Sequence, residues 1–111
     1  MKTKTFASIN KVPHDYSGKC KIFYESSTCY FLNGKLHRED GPAKEYADGD
    51  KYWFINGLNH RENGPAVEYK DGGKYWFYKG KNYGYDNDFT NKTWKEKVLE
   101  LKREERLKIF I

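Results

Sequence analysis

The chain has 111 residues and a formal net charge of +5, which is enough material for one domain rather than two. Charged residues make up 33%, but 18% are aromatic, and a disordered chain is poor in aromatic residues. No stretch approaches the ~18 apolar residues of a transmembrane helix, and no apolar segment follows the basic residues at the N-terminus as it would in a signal peptide. We therefore expect a folded cytoplasmic protein without a membrane partner.

The positive charge lies at the two ends of the chain. Residues 1–29 carry five basic and two acidic side chains, residues 30–83 carry nine and eight, and residues 90–111 carry seven and four. A nucleic-acid-binding protein usually shows a continuous basic stripe, which this distribution does not predict. A nucleic-acid partner therefore stays open but is not favoured.

The sequence repeats itself with a period of 23 residues. Residues 30–34 align with 53–57 and with 76–80, and residues 37–43 align with 60–66. A decayed copy lies upstream, in which His14 precedes His37 by the same 23 residues. Because internal repeats dictate the architecture, we expect tandem copies of one small unit.

Each unit is predicted to be an antiparallel β-hairpin. Asp71-Gly72 separates two runs of β-forming residues, and Asn-Gly occurs at 33–34 and again at 56–57. Both dipeptides tolerate the positive φ angles of a type I′ turn. A two-residue loop at 71–72 would place Glu68 opposite Tyr75 and Val67 opposite Trp76.

Side chains alternate between the two faces of a strand, so both faces of this sheet would carry aromatic residues. One of those faces must then be covered or used for binding. The predicted fold class is mainly β with a C-terminal helix (α+β): an antiparallel meander of tandem 23-residue β-hairpin repeats that forms an elongated twisted sheet.

A helix is predicted over residues 91–106. Its start is rich in Thr and Asn, which suit an N-cap, and Trp94, Val98 and Leu101 fall on one helical face that can cover the sheet. The apolar tail, residues 109–111, is expected to contact the core or a partner. The whole chain, 1–111, is predicted to be a single domain made of an N-terminal segment with a decayed repeat (1–29), repeats (30–83), a linker (84–90) and the C-terminal helix and tail (91–111).

The pattern Asn-Gly-Lys/Leu-x-His-Arg-Glu-Asp/Asn-Gly-Pro-Ala-x-Glu-Tyr-x-Asp-Gly-x-Lys-Tyr-Trp-Phe resembles that of MORN-repeat-variant proteins, in particular small repeat proteins of bacteriophages. The resemblance covers residues 30–82 well and 14–29 weakly. It implies hairpins stacked into an elongated sheet and a binding or scaffolding role rather than a reaction. It also implies a phage-encoded inhibitor or adaptor that binds a host defence protein in the host cytoplasm.

The repeat spacing argues against a shared metal site or a catalytic carboxylate pair. A two-stranded unit advances ~10 Å, whereas Zn–N bonds are ~2 Å long, so histidines at equivalent positions cannot share one ion. Glu45 and Glu68, with the same ~10 Å spacing, lie slightly beyond the range of paired glycosidase carboxylates. No phosphate-binding loop or nucleophile motif is present. We expect no enzymatic activity, no metal and no cofactor.

The two cysteines are expected to stay reduced. If the decayed hairpin turns like the others, Cys29 faces Ile22 and Cys20 is only its diagonal neighbour. Diagonal neighbours lie ~7–8 Å apart, beyond the usual reach of a disulfide.

The favoured function is a protein-binding module that uses the sheet, the His-Arg-Glu loops and the helix. Alternatives are a nucleic-acid or signalling-nucleotide binder, and a structural component that assembles through sheet edges.

The histidines are expected to hydrogen-bond the connecting loops. Arg38 and Arg61 are expected either to pair with Glu39 and Glu62 or to anchor a partner. A homodimer through a sheet edge or the tail also remains open. The candidate partner-binding residues are His37, Arg38, His60, Arg61, Tyr52, Tyr75, Phe77, Lys95, Lys102, Arg103 and Arg106.

Overall fold

The protein is described by a computed structural model that covers residues 3–108. These residues form a mainly β structure with one C-terminal helix, as the sequence predicts. No helix among them is long and apolar enough to cross a membrane. The elements are β1 (Lys4–Phe6), β2 (Gly18–Ile22), β3 (Ser27–Leu32), β4 (Lys35–Leu36), β5 (Lys44–Tyr46), β6 (Lys51–Tyr52), β7 (Phe54–Ile55), β8 (Leu58–Asn59), β9 (Val67–Glu68), β10 (Lys74–Tyr78), β11 (Lys81–Tyr85) and α1 (Asn91–Lys108).

Nine strands form one sheet, mostly antiparallel, in the order β1-β2-β3-β5-β6-β9-β10-β11, with β4 paired to β3. Strands β7 and β8 form a separate two-stranded hairpin. The edge strand β1 runs parallel to β2, unlike the other paired strands of the described chain. The predicted all-antiparallel meander is therefore wrong at this edge.

The Asn-Gly turns have the predicted type I′ geometry. Asn33 and Gly34 have φ angles of 50° and 77°, and this two-residue loop places Leu32 opposite Lys35. The same loop recurs at 56–57 and, with lysine in place of asparagine, at 79–80. Positive φ at both central residues matches the twist of the flanking strands.

The Asp-Gly turn is different from the prediction. The amide of Tyr69 donates to the carbonyl of Gly73, so Lys70, Asp71 and Gly72 form a three-residue loop in which Gly72 has φ +96°. A type I turn followed by a glycine with positive φ is the usual three-residue solution. The added residue shifts the register by one, so Tyr75 faces Val67 rather than Glu68.

Two hydrophobic clusters lie at opposite ends of the repeat region. At the C-terminal end, helix α1 packs on the face of the sheet that carries Trp76 and Tyr78, and at the N-terminal end β2 and β3 pack against the preceding segment. The C-terminal cluster contains Trp76, Tyr78, Trp94, Val98 and Leu101, and the N-terminal cluster contains Cys20, Ile22, Cys29 and Phe31 with Phe6, Val12, Tyr16 and Leu36 around them.

Helix α1 extends two residues beyond the predicted end, to Lys108. Thr90 and Thr93 cap its start reciprocally: the Thr93 amide donates to Thr90 Oγ1 at 3.1 Å, and the Thr90 amide donates to Thr93 Oγ1 at 2.8 Å. These bonds satisfy amides that lack a partner within the helix. The predicted contact of the tail, residues 109–111, lies outside the described residues.

Opposite charges alternate along one row of the sheet. Glu45 faces Lys51, Lys51 faces Glu68, and Glu68 faces Lys74 on successive strands. Cross-strand neighbours of opposite sign stabilise a sheet modestly, and neighbours of the same sign would destabilise it. The repeat region therefore balances its charges within the sheet.

The two cysteines are direct cross-strand partners, so the predicted diagonal arrangement is wrong. The amides of Phe23 and Tyr24 donate to the carbonyls of Phe6 and Ala7, which keeps both residues out of the β2–β3 pairing and lengthens the loop to four residues. Cys20 and Cys29 are both fully buried free thiols.

Both thiols are expected to be almost unreactive in the folded protein. Burial raises the pKa of Cys20 to about 11 from 9.0, which leaves about a hundredfold less of the reactive thiolate near neutral pH. Titration with Ellman's reagent at pH 8 should detect two thiols within minutes in 6 M guanidinium and essentially none in buffer. Rapid reaction of two thiols in buffer would contradict this environment.

Candidate functional site

His37 and His60 link each unit to the turn of the next hairpin. His37 Nδ1 accepts a hydrogen bond from the amide of Asn56 at 3.0 Å, and His60 Nδ1 accepts one from the amide of Lys79 at 2.9 Å. In both cases the donor is the first central residue of a type I′ turn. The expected bond to the connecting loop is therefore replaced by a bond to the following turn, and the Nδ1 atoms are occupied.

Arg38 and Arg61 each stack on an aromatic ring and close their own loop. The Arg38 guanidinium lies 4.1 Å from the centre of the Tyr30 ring and donates to Asp40 at 3.0 Å. The Arg61 guanidinium lies 3.9 Å from the Trp53 ring. Stacking and planar hydrogen bonding are what arginine supplies and lysine does not.

The carboxylate partners of these arginines are not the adjacent glutamates. Arg61 donates to Glu68 at 3.1 Å and to the carbonyl of Pro65 at 3.1 Å, and the equivalent Arg38 donates to the carbonyl of Pro42 at 3.2 Å. The predicted Arg38–Glu39 and Arg61–Glu62 pairs are wrong, because each side chain bends back over its loop.

A cleft of about 700 Å³ separates the two His-Arg-Glu loops. Trp53 and Ile55 lie between walls formed by residues 38–42 and 60–63. The walls bring together Arg38, His60 and Arg61, but they also carry carboxylates. The cleft is lined by positive side chains, Arg38 and Arg61, and by negative ones, Glu39, Asp40 and Glu62. This mixture of signs does not favour a phosphate ligand.

Glu62 connects the cleft to the helix. Its Oε1 atom lies 2.5 Å from Lys102 Nζ, and its Oε2 atom lies 3.2 Å from His60 Nε2. Burial raises the pKa of Glu62, but the hydrogen bonds from Lys102 and His60 outweigh it, and the net pKa is lowered. Lys102 thus has a partner within the chain.

Replacing His60 by alanine is expected to lower the free energy of unfolding by about 1–2 kcal/mol, because the Lys79 amide loses its acceptor and Tyr78 loses a ring packed 5.0 Å away. Urea unfolding followed by tryptophan fluorescence measures this loss. The matched control is His14→Ala, which removes an exposed histidine and should stay within about 0.5 kcal/mol. Equal effects of the two variants would contradict a structural role for the His60 hydrogen bond.

The opposite face of the sheet carries a row of tyrosines. The ring centres of Tyr46 and Tyr52, of Tyr52 and Tyr69, and of Tyr69 and Tyr75 are 5.8, 6.1 and 5.9 Å apart, each pair edge to face. Tyr85 continues the row, since it pairs with Tyr75. We call these five residues the tyrosine face.

The tyrosine face lies on the side of the sheet away from helix α1. Trp76 and Tyr78 point to the helix, so Tyr75 and Phe77, which alternate with them, point to the other side. Tyr75 is 37% and Tyr85 61% exposed, while Tyr46, Tyr52 and Tyr69 are half-buried by one another. The rings cover the buried Val67 between Tyr52 and Tyr75.

Mutual packing also changes the chemistry of the central tyrosine. Burial, and then the hydrogen bond and charge of Tyr69, raise the pKa of Tyr52 to about 12. The hydroxyl group of this central ring therefore stays neutral across the physiological range. Tyrosine side chains contact other proteins mainly through their aromatic area and their hydroxyl groups.

The candidate residues from the sequence divide among three surfaces. Arg38, His60 and Arg61 line the cleft, and His37 lies beside it. Tyr52, Tyr75 and Phe77 lie on the opposite side of the sheet. Lys95, Arg103 and Arg106 are exposed on α1, whereas Lys102 is half-buried and pairs with Glu62. The sequence-based candidates do not include Tyr46 and Tyr69, although these two tyrosines occupy equivalent positions 23 residues apart. Trp53, which lies between the walls of the cleft, is absent from the predicted partner-binding residues.

The described residues 3–108 contain no group of three or more histidine, cysteine, aspartate or glutamate side chains placed to hold a metal ion. Comparison of the chain with protein-family models, curated proteins and solved structures gives no match.

Proposed function

We propose that this chain is a non-enzymatic protein-binding module whose tyrosine face contacts a partner protein. The observation that carries the proposal is the row of five tyrosines on the side of the sheet that helix α1 leaves uncovered. Tyrosine supplies a large, rigid contact area at low cost in conformational entropy, and it is enriched at energetic hot spots of interfaces.

The structural unit of this module is, in our proposal, the 23-residue hairpin repeat of the MORN-like kind. Three contacts recur at that spacing: the histidine bond to the next turn, the arginine stacked on an aromatic ring, and the arginine bond to a proline carbonyl. A repeat stack of this type holds side chains in a regular row, which suits an extended partner surface.

The resemblance to phage repeat proteins adds the kind of partner: an inhibitor or adaptor role towards a host defence protein in the host cytoplasm. A nucleotide-binding role for the cleft has less support, because its two arginines are engaged with their own loops and carboxylates line the same walls. The assembly role also has less support, since Lys81 and the irregular pairing of β11 disfavour strand addition at that edge.

Site-specific photo-crosslinking tests the proposal. A benzophenone amino acid is placed at position 75 on the tyrosine face or, as the control, at position 24, where the native tyrosine is 78% exposed on a distant turn. Position 75 should give one cross-linked host protein that excess wild-type chain displaces, and position 24 should give none. No cross-link from position 75, or the same product from both positions, would overturn the proposal.

A further inference from the structure

Four cations lie on one sector of the outer surface of helix α1. At 100° per residue, Lys92, Lys95, Arg103 and Arg106 fall within a sector of about 80°, and with a rise of 1.5 Å per residue they extend over about 21 Å. All four residues are exposed. We call these four residues the basic stripe.

Among the described residues, no carboxylate forms an ion pair within 4.0 Å with the basic stripe. The ion pairs that α1 makes within 4.0 Å join Lys97 to Glu100, Glu105 to Lys79, and Lys102 to Glu62, and none of them involves the stripe. Glu96, Glu100 and Glu104 project from the adjacent sector of the helix. The four cations therefore face solvent without a carboxylate between them.

This arrangement differs from the charge pattern in the rest of the chain. In the sheet Glu45, Lys51, Glu68 and Lys74 alternate, and in the cleft acids and bases are mixed. The sequence alone places positive charge at both ends of the chain, and the helix brings four of the seven C-terminal cations into one line. A single-sign line of charge is the footprint of a surface that follows a phosphate backbone.

We propose that the basic stripe binds the phosphodiester backbone of nucleic acid without sequence preference. The one apolar side chain in the same sector is Leu99, whereas the core of a protein interface normally carries aromatic or several apolar anchors. Electrostatic attraction alone supplies sequence-independent binding, with Kd values of about 10⁻⁴–10⁻⁶ M. The stripe and the tyrosine face lie on opposite sides of the sheet, so this inference is independent of the proposed function.

Salt dependence of DNA binding tests the stripe directly. Fluorescence anisotropy with a labelled 20-base-pair duplex of random sequence should give a plot of log K against log salt concentration with a slope of about −3.6, because each of four neutralised phosphates contributes about −0.9. The variant Lys95→Ala/Arg103→Ala/Arg106→Ala should reduce the slope to about −0.9.

The matched control removes three cations from the other end of the chain: Lys4→Ala/Lys19→Ala/Lys21→Ala should keep the wild-type slope. Circular dichroism establishes that each variant is folded. A wild-type slope shallower than about −1, or an equal loss in both triple variants, overturns the proposal. So does a poly-glutamate peptide that, at the same salt concentration, binds wild type more tightly than the duplex does and loses binding in the stripe variant, because that result assigns the stripe to an acidic protein.

Discussion

Replacing Trp94 by alanine is expected to lower the free energy of unfolding by about 3–5 kcal/mol and to release helix α1 from the sheet. The Trp94 ring is fully buried, with ring centres 5.7 Å from Trp76 and 5.0 Å from Phe89, and its Nε1 atom donates to the carbonyl of Arg61 at 2.7 Å. The substitution removes this packing and leaves the partly buried carbonyl of Arg61 without its donor.

The position of Trp94 explains why the loss should be large. In the preceding units an arginine covers the aromatic ring: Arg38 lies over Tyr30, and Arg61 lies over Trp53. The corresponding ring of the last unit, Trp76, is covered by Trp94 of the helix instead. Helix α1 therefore caps the C-terminal end of this row of rings.

Guanidinium unfolding and amide hydrogen exchange measure the effect. Exchange protection in residues 91–108 should fall far more than protection in β2 and β3, which belong to the other hydrophobic cluster. The matched control is Leu99→Ala on the exposed side of the same helix, which should stay within about 0.5 kcal/mol. A loss below about 1 kcal/mol for Trp94→Ala would contradict the capping role.

Replacing Gly34 by alanine is expected to destabilise the fold by at least about 3 kcal/mol. A Cβ atom at this position would lie 2.0 Å from the backbone carbonyl oxygen of His14, and the residue has φ +77°, which disfavours any side chain. The amide of Gly34 also donates to the carbonyl of Tyr16 at 2.8 Å, so the first Asn-Gly turn is packed on the N-terminal segment.

The variant Gly72→Ala separates the cost of the Cβ clash from the cost of a positive φ angle. Gly72 has φ +96°, but a Cβ atom there would meet no atom within 4 Å, so the substitution should cost only about 1–2 kcal/mol of backbone strain. Thermal unfolding of both variants in parallel measures the difference. Similar losses at the two positions would show that the contact with His14 contributes nothing.

Local signals predicted several elements well. The Thr-rich start and the spacing of Trp94, Val98 and Leu101 located the helix to within two residues of its end, because its capping and its buried face depend only on nearby residues. The Asn-Gly turns were right for the same reason: positive φ at both central residues favours Asn followed by Gly.

Features that depend on contacts between distant residues were predicted poorly. The pairing of Cys20 with Cys29 follows from amides of Phe23 and Tyr24 that bond to residues 6 and 7, and β1, a three-residue edge strand, has no sequence signal of its own. Arg61 bonds to Glu68 rather than Glu62 because the loop folds back over the sheet.

The candidate site was likewise predicted only in part. The alternation of side chains predicted that both faces of the sheet would carry aromatic residues, and Tyr52 and Tyr75 lie in one row on the face away from the helix. The face that the helix covers could not be deduced, because a one-residue change in the Asp-Gly loop exchanges cross-strand neighbours. The stripe on α1 was visible only as a count of basic residues.

The central claim, that the tyrosine face binds a protein, is tested most directly by the affinity of the cross-linked partner for Tyr75→Ser/Tyr85→Ser. Isothermal titration calorimetry should show affinity at least about tenfold weaker than wild type, which is about 1.4 kcal/mol, because two exposed rings of the interface are lost. Tyr24→Ser, which removes a more exposed ring elsewhere, should bind within about twofold of wild type. Unchanged affinity of the double variant, or an equal loss in Tyr24→Ser, would contradict the claim.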